Sequence, residues 1–356
     1  MNQKFIHAVH IYILLIMSTG FIVHVLSLSV LLSIAKRDAW LSVIFSAIPV
    51  TIWILLVFYI YKKLNNQDLI SFIKNSFSKW VFVIFSAMFC GYFLITAFMT
   101  LKFTVYWAKD NYTLDFPNYV VVLLFSLVCY YASAKGLRTI ATMSFLVLPF
   151  VVFFGFLVGL GNTPNKNYEQ LFPLFEEGYK GFFQGIAYAC ASLFEVFFIL
   201  FLTKNLKDKL KLKWLILVGL FLVVLSFSPL AAAIAEFGSV EAGKLRNPAY
   251  EEWKLLTLGQ HITRLDFISV FQWLSGAYIR ISLSLFIAGK VFSYKNEKWW
   301  VLPILYIILI VAACIPLDST SFIYFMKKFY FPISLFFQIF IMLFLLLFMK
   351  IKGEKP

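Results

Sequence analysis

Apolar residues in this chain come in runs of 18 or more, the length of helix that crosses the ~30 Å hydrocarbon core of a bilayer. Hydrophobic residues are 62% of the 356 and charged residues 13%, where soluble domains hold about half and about a quarter. A soluble fold of this size has too little polar surface to cover so much apolar material, so burial must be in lipid. A membrane β-barrel needs ~10-residue segments that alternate apolar and polar, and no such alternation is present. Backbone groups in lipid must be satisfied within the segment, which leaves the α-helix. The sequence predicts about ten transmembrane helices, near 9–34, 40–61, 80–106, 117–134, 139–160, 182–203, 214–236, 266–289, 300–317 and 330–349. The first run is too long for the core of a cleaved signal peptide, and no small-residue cleavage site follows it.

Lysine and arginine placement orients the spans. The 204–213 loop carries five lysines and one aspartate, Asp208. With that loop inside, Lys62, Lys63, Lys74, Lys79, Lys135, Arg138, Lys290, Lys295, Lys298, Lys350, Lys352 and Lys355 also fall inside, together with Lys4. The outer segments mix both signs. Both termini are therefore expected in the cytoplasm. Lysines facing anionic lipid account for the net charge of +14, and no nucleic-acid partner is needed. Cys90, Cys129, Cys190 and Cys314 all fall in predicted spans and match neither a zinc motif nor a disulfide framework. There is no Ser/His/Asp arrangement, glycine-rich phosphate loop or pair of catalytic carboxylates. An enzyme, a metal site and a cofactor are not expected.

Ten spans divide into five plus five, and because five is odd the second half sits inverted in the membrane. The expected domain is single, covering 1–356, with a first repeat of about 9–160 and a second of about 182–349. Inverted repeats mark a transporter plan in which an interrupted hydrophobic helix recurs at matching positions. Span 1 carries Ser18-Thr19-Gly20 in mid-run, and span 6 carries Gly185 and then Ala187-Tyr188-Ala189-Cys190-Ala191-Ser192. Small residues there permit unwinding that frees backbone groups for a ligand; equally, they permit close helix packing. Long segments follow at matching places. In 62–79, Leu69, Ile70, Phe72, Ile73 and Phe77 alternate with Gln67, Asp68, Lys74, Asn75 and Lys79, as in a helix lying on the membrane surface. In 237–265, Asn247-Pro248 followed by Glu251 and Glu252 has the form of a helix start, with Trp253, Leu255, Leu256 and Leu258 as its apolar contacts.

Two charges lie where lipid makes them expensive: Glu195 in span 6 and Arg280 in span 8. Arg280 either faces the bundle or reaches toward the interface near Lys290. Glu195 has no such exit and is expected to be paired, hydrogen-bonded or protonated, with Arg280 one candidate partner.

The segment 236–286 holds Phe237-Gly238, Pro248 in the outer loop, Arg264-Leu265-Asp266 before the next span, and Trp273 within it. With Asp38-Ala39-Trp40 opening span 2 and Glu195 in span 6, it resembles the spore germination permease family, the B subunits of germinant receptors in endospore-forming bacteria. The likeness spans essentially the whole chain. It departs from the family at the first break, which has a single glycine and no following proline. The resemblance implies the five-plus-five fold of the amino acid–polyamine–organocation superfamily, with helices 1 and 6 broken. It further implies a receptor in the spore inner membrane for a small germinant, an amino acid, working with an A subunit and a lipoprotein C subunit. The ligand is then expected at Ser18, Thr19 and Gly20 of span 1 and Ala187, Tyr188, Cys190 and Ser192 of span 6, with Tyr92, Thr96 and Trp273 lining the cavity. The rival reading is a self-sufficient ion-coupled amino acid transporter.

Overall fold

The computed structural model describes residues 6–353 apart from Asn66, Glu177, Leu258, Gln260 and 293–299. Lys4, Lys295, Lys298, Lys355, Leu258 and the side chain of Lys352, which enter the sequence reading, lie outside the described residues. The described residues form helices α1 (Ala8–Phe21), α2 (Leu28–Ala35), α3 (Ala39–Phe45), α4 (Ala47–Lys63), α5 (Leu69–Ser76), α6 (Lys79–Asn111), α7 (Asn118–Lys135), α8 (Leu137–Gly161), α9 (Tyr179–Leu193), α10 (Leu212–Ala242), α11 (Pro248–Leu255), α12 (Ile268–Phe292), α13 (Val301–Cys314), α14 (Ser319–Phe325) and α15 (Phe331–Gly353). No β-strand occurs among them.

Eight of the predicted spans have a helix long and apolar enough to cross a bilayer. A ninth is made if the Leu28–Phe45 stretch and α4, bent by 40° about Ser46, count as one. The boundary between spans 1 and 2 falls at Lys36, whose φ of 48° and ψ of −123° break the helix. The expected span 300–317 is the exception. Its helix, α13, runs for only 14 residues, about 21 Å at ~1.5 Å per residue. Pro316 drives Ile315 into an extended conformation, and the helix ends there. Lys102 Nζ then donates to the Ala313 and Ile315 carbonyls, each at 2.7 Å, and satisfies the freed end.

The two breaks are displaced from where small residues suggested them. Ser18-Thr19-Gly20 stays within α1, and the helix widens into a π-turn only at Ile22–Leu26. Gly185 and Ala187–Ser192 stay within α9, and the helix tightens into a 3₁₀ segment at Phe194–Phe201. Small residues allow a helix to unwind but do not make it do so, because every backbone bond lost in an apolar setting must be replaced. The glycines serve packing instead. A Cβ on Gly185 would lie 2.5 Å from Ser42 Oγ and 2.9 Å from Ala35 Cβ, and one on Gly20 would lie 3.1 Å from Leu225 Cδ2.

Both connecting helices form. α5 is capped by Asp68, which accepts from Ser71 N at 2.8 Å, and it buries Leu69, Ile70 and Ile73. α11 begins at Pro248 and packs Trp253 and Leu256 with Val158 and Leu265. At the other end of the bundle, Lys207 N donates to Ile6 O at 2.8 Å and Ala8 N to Asp208 Oδ1 at 3.0 Å. The start of α1 and the lysine-rich loop thus share one face.

Two outcomes follow. Gly185→Ala should destabilise the protein by about 1–3 kcal/mol, the usual penalty for overpacking. Gly20→Ala should be milder, because the Leu225 methyl it meets can swing aside; thermal melts in detergent check the order. Cysteines placed at Lys209 and Val240, both exposed, should react with an impermeant maleimide from opposite membrane faces. Labelling from one face would overturn the topology.

Candidate functional site

Arg280 stands at the middle of α12, fully buried, and every nitrogen of its guanidinium is engaged. Nη1 and Nη2 reach Glu195 Oε2 and Oε1 at 2.5 and 2.8 Å, a two-pronged ion pair with both side chains 0% exposed. Nη1 also donates to the Ser18 carbonyl at 3.1 Å, and Nε to Thr100 Oγ1 at 3.0 Å. Four segments meet on one side chain: α1, α6, the 3₁₀ stretch after α9, and α12. Arg280 therefore faces the bundle and does not reach toward the interface.

Both helix irregularities expose backbone to this centre. The Ile22 N–H bonds the Thr19 carbonyl as α1 passes into the π-turn, and the Ser18 carbonyl serves Arg280. At the end of α9 and the start of the 3₁₀ stretch, distant side chains bond to backbone carbonyls. Gln338 Nε2 donates to Ala191 O at 3.2 Å, and Trp53 Nε1 to Phe194 O at 2.9 Å while its ring stacks on Phe194 at 4.2 Å. An eight-residue 3₁₀ run is long; such runs rarely exceed 3–4 residues, and in mid-helix they mark hinges or strain. Prolines pose the same problem elsewhere. Pro229 has no N–H for the Leu225 carbonyl four residues earlier, and His24 Nδ1 lies 3.1 Å from that oxygen.

Of the residues expected at the ligand, Ser18 bonds Arg280 through its carbonyl, Thr96 sits with Arg280 beside Tyr330, Tyr92 lies near Glu195, and Thr19 follows Ser18 in α1. The hydroxyls of Ser18, Thr19 and Thr96 are buried without a hydrogen-bond partner among the described residues. Tyr92 OH lies 3.1 Å from Ser334 Oγ and accepts from Gln338 Nε2 at 2.8 Å. Gly20 turns its open side to Leu225 and Leu222 of α10. Tyr188 OH donates to Lys327 O at 2.7 Å, and Ser192 Oγ bonds back to Tyr188 O at 3.4 Å; neither bond touches the ion pair. Cys190 is buried and Ala187 half-buried, and neither brings a hydrogen bond to the centre. Trp273 lies two turns along α12 from Arg280, stacked between Trp107 at 4.4 Å and Phe103 at 5.9 Å, with Phe21 edge-on.

Sequence reasoning predicted the last span but overlooked the polar residues it brings to the centre. Tyr330 sits beside Thr96 and Arg280, and Ser334 and Gln338 continue the same face at steps of four residues. Gln338 is an amide in the middle of an apolar run, the signal that singled out Glu195. Thr100 carried no such signal, since a threonine in a helix ordinarily returns its hydroxyl to the carbonyl four residues back. It does so here, to Thr96 O at 2.8 Å, while accepting from Arg280.

Comparison with known proteins agrees with this architecture. A family model described as "Spore germination protein" matches residues 8–323. The curated "Spore germination protein XB" of Bacillus anthracis is 35% identical over 326 residues, covering 91% of this chain and 92% of that protein. Among solved structures, the crystal structure of MhsT in complex with L-phenylalanine superposes with a TM-score of 0.68 at 14% identity, covering 94% of this chain and 89% of the other. The fold is thus an all-α, transporter-like membrane fold.

The ion pair makes a sharp forecast. Arg280→Leu leaves Glu195 buried without its counter-charge and should cost about 3–5 kcal/mol. Glu195→Gln, which keeps hydrogen-bonding capacity, should be milder than Glu195→Leu. Replacing both partners with leucine should recover most of the loss. Unfolding midpoints of the purified proteins read all four, and equal stability across them would show that the pair is not coupled.

Proposed function

Because this chain belongs to the spore germination permease family, we propose that it is the membrane-embedded germinant-sensing subunit of a spore germinant receptor, and that its ligand is an amino acid. That it is a multi-pass membrane protein of germination is already given by the family and the fold. The finer reading rests on one observation: a buried arginine–carboxylate pair bonded to the Ser18 carbonyl, in a bundle where the Ser18, Thr19 and Thr96 hydroxyls are buried with no partner among the described residues. A zwitterion's carboxylate finds donors in the Ser18, Thr19 and Thr96 hydroxyls and Arg280. Its ammonium finds acceptors in Glu195 and the backbone oxygens near the π-turn. Such pairing is what makes a charged ligand tolerable away from water. The solved MhsT structure of the same fold is a complex with L-phenylalanine, which makes a small zwitterion a suitable occupant here.

In this reading the protein sits in the spore inner membrane with both termini in the cytoplasm, alongside an A subunit and a lipoprotein C subunit. Ligand binding shifts a balance between two arrangements of the broken helices, and the partner subunits read the shift. The same scaffold also hosts transport, so a self-sufficient ion-coupled amino acid transporter is the rival.

Purified chain in proteoliposomes, given a panel of labelled L-amino acids, separates the two. A sensor should bind at least one of them saturably without accumulating it inside. Concentrative uptake driven by a Na⁺ or proton gradient would assign a transporter instead. Thr96→Val should weaken that binding about tenfold, the effect of losing a hydrogen bond of about 1.5 kcal/mol, at unchanged membrane abundance. Unaltered affinity would remove Thr96 from the site.

A further inference from the structure

A second buried polar cluster lies far from the ion pair, at the outer end of the bundle where α8, α10 and α11 converge. Glu236 of α10 has a side chain 0% exposed, and neither of its carboxylate oxygens has a hydrogen-bond partner among the described residues. Glu252 of α11 is 4% exposed, and its Oε1 is likewise unpartnered. One cation is near. Lys166 Nζ stands 3.8 Å from Glu236 Oε1, outside hydrogen-bond range, and donates to the Gly159 carbonyl at 2.6 Å. Two carboxylates against one lysine leave a deficit of one positive charge in a setting that excludes water, where an uncompensated charge is strongly disfavoured.

The surroundings are built rather than accidental. Buried Asn162 donates Nδ2 to the Glu252 carbonyl at 2.6 Å, tying the end of α8 to α11. Asn167 N donates to Ala235 O at 2.9 Å, tying the Lys166 loop to α10 beside Glu236. α10 then bends at Gly238, whose φ of 78° only a glycine adopts without strain. Of the other elements against α11, α2 has no titratable residue, the π-turn has only His24, turned to Leu225, and the segment before α12 brings Asp266, which bonds Tyr250 and is paired with Arg264 at 2.9 Å. Glu251 and Lys254 of α11 pair with each other at 2.9 Å.

We propose that Glu236 and Glu252, with Lys166 beside them, form a binding site for one monovalent cation, an alkali ion or a proton, beneath α11. Three unpartnered carboxylate oxygens supply the ligands, and the charge deficit sets the valence. Burial, and next the neighbouring Glu236 charge, push the Glu252 carboxyl well above the ordinary range, with Lys166 opposing; both effects favour uptake of a positive charge. Because α11 also packs on α2 and on the π-turn, occupancy would hold the outer cover against the broken part of span 1.

The test uses the full-length chain in nanodiscs, with no ligand, reading Tm by intrinsic fluorescence. NaCl and KCl are titrated against N-methyl-D-glucamine chloride at equal ionic strength, in mildly alkaline buffer. The large organic cation is then kept alone while the buffer is acidified. A carboxyl whose pKa is raised by folding destabilises the fold as it ionises. A proton site should therefore raise Tm as pH falls through the raised pKa toward the ordinary glutamate value of ~4.3. An alkali-ion site should raise Tm saturably with Na⁺ or K⁺. Either rise should vanish in E236Q/E252Q, and K166M should lower the half-saturating cation concentration severalfold, or move the acid-induced rise to higher pH. A wild-type Tm indifferent to Na⁺, K⁺ and pH overturns the proposal, as does a full response retained by E236Q/E252Q or an unchanged midpoint in K166M. Amino acid binding is read separately, so failure here leaves the sensor reading intact.

Discussion

The bundle is organised around one ion pair that lipid would not tolerate unpaired. Arg280 and Glu195 are both withdrawn from solvent, and their mutual attraction only offsets what desolvation costs. Geometry must therefore be good and leftover donors must be used. The Ser18 carbonyl and the Thr100 hydroxyl take two of the three remaining N–H groups, so α1, α6, the 3₁₀ stretch and α12 are held in one register. A leucine pair of similar volume would hold the helices together about as well. Stability alone is thus a poor reason for two charges here.

Around that centre the backbone deviates from the α-helix on two sides, and each deviation is matched by a side chain from elsewhere in the sequence. Gln338, Trp53 and Arg280 bond to Ala191, Phe194 and Ser18 carbonyls. An isolated helix could not maintain these irregularities, since each leaves a polar group without its local partner. Here three distant spans maintain them. On the side of α11 the centre is covered by stacked rings, with Phe103, Trp273 and Trp107 leading toward Tyr112 and Tyr250. Tyr250 OH donates to Asp266 Oδ2, and Arg264 Nε to Asp266 Oδ1 at 2.9 Å. The Arg264-Leu265-Asp266 motif thus anchors the cover through hydrogen bonds.

The order of the spans, and eight of the ten expected, were legible because the membrane imposes a length, and apolar runs either reach it or do not. α13 escaped because its end is set by Pro316 and by Lys102 from another span, a contact no local pattern shows. α11 was legible from Asn247-Pro248 because helix starts are local chemistry. The pairing of Glu195 with Arg280 followed from the expense of charge in lipid. The sites of the two breaks did not follow. They depend on which carbonyls distant side chains can reach, and Ser18-Thr19-Gly20 advertises only permissiveness. Gly20 and Gly185 turned out to lie against α10 and α3 side chains, so composition signalled close packing that reads, in sequence, like unwinding. Tyr330, Ser334 and Gln338 were in plain view at four-residue steps, but a polar face is easily overlooked in a span with no formal charge.

The two irregular stretches also suggest how occupancy could be transmitted. A π-turn and a 3₁₀ run each lie one hydrogen-bond step from the α-helix, so switching register requires only that neighbouring carbonyls exchange partners. The exchange is costly unless new partners are at hand, which makes such elements bistable and not gradually deformable. Arg280 holds the Ser18 carbonyl and Glu195 at once. A ligand that drew on either acceptor would loosen the guanidinium's hold on it and leave that donor freer for the other, so the π-turn and the 3₁₀ stretch are coupled through one side chain. Gln338 and Trp53 bring α15 and α4 into the same exchange. A change of register in the 3₁₀ stretch would shift the Ala191 and Phe194 carbonyls that Gln338 and Trp53 hold, and so carry a rearrangement at the centre to α15 and α4.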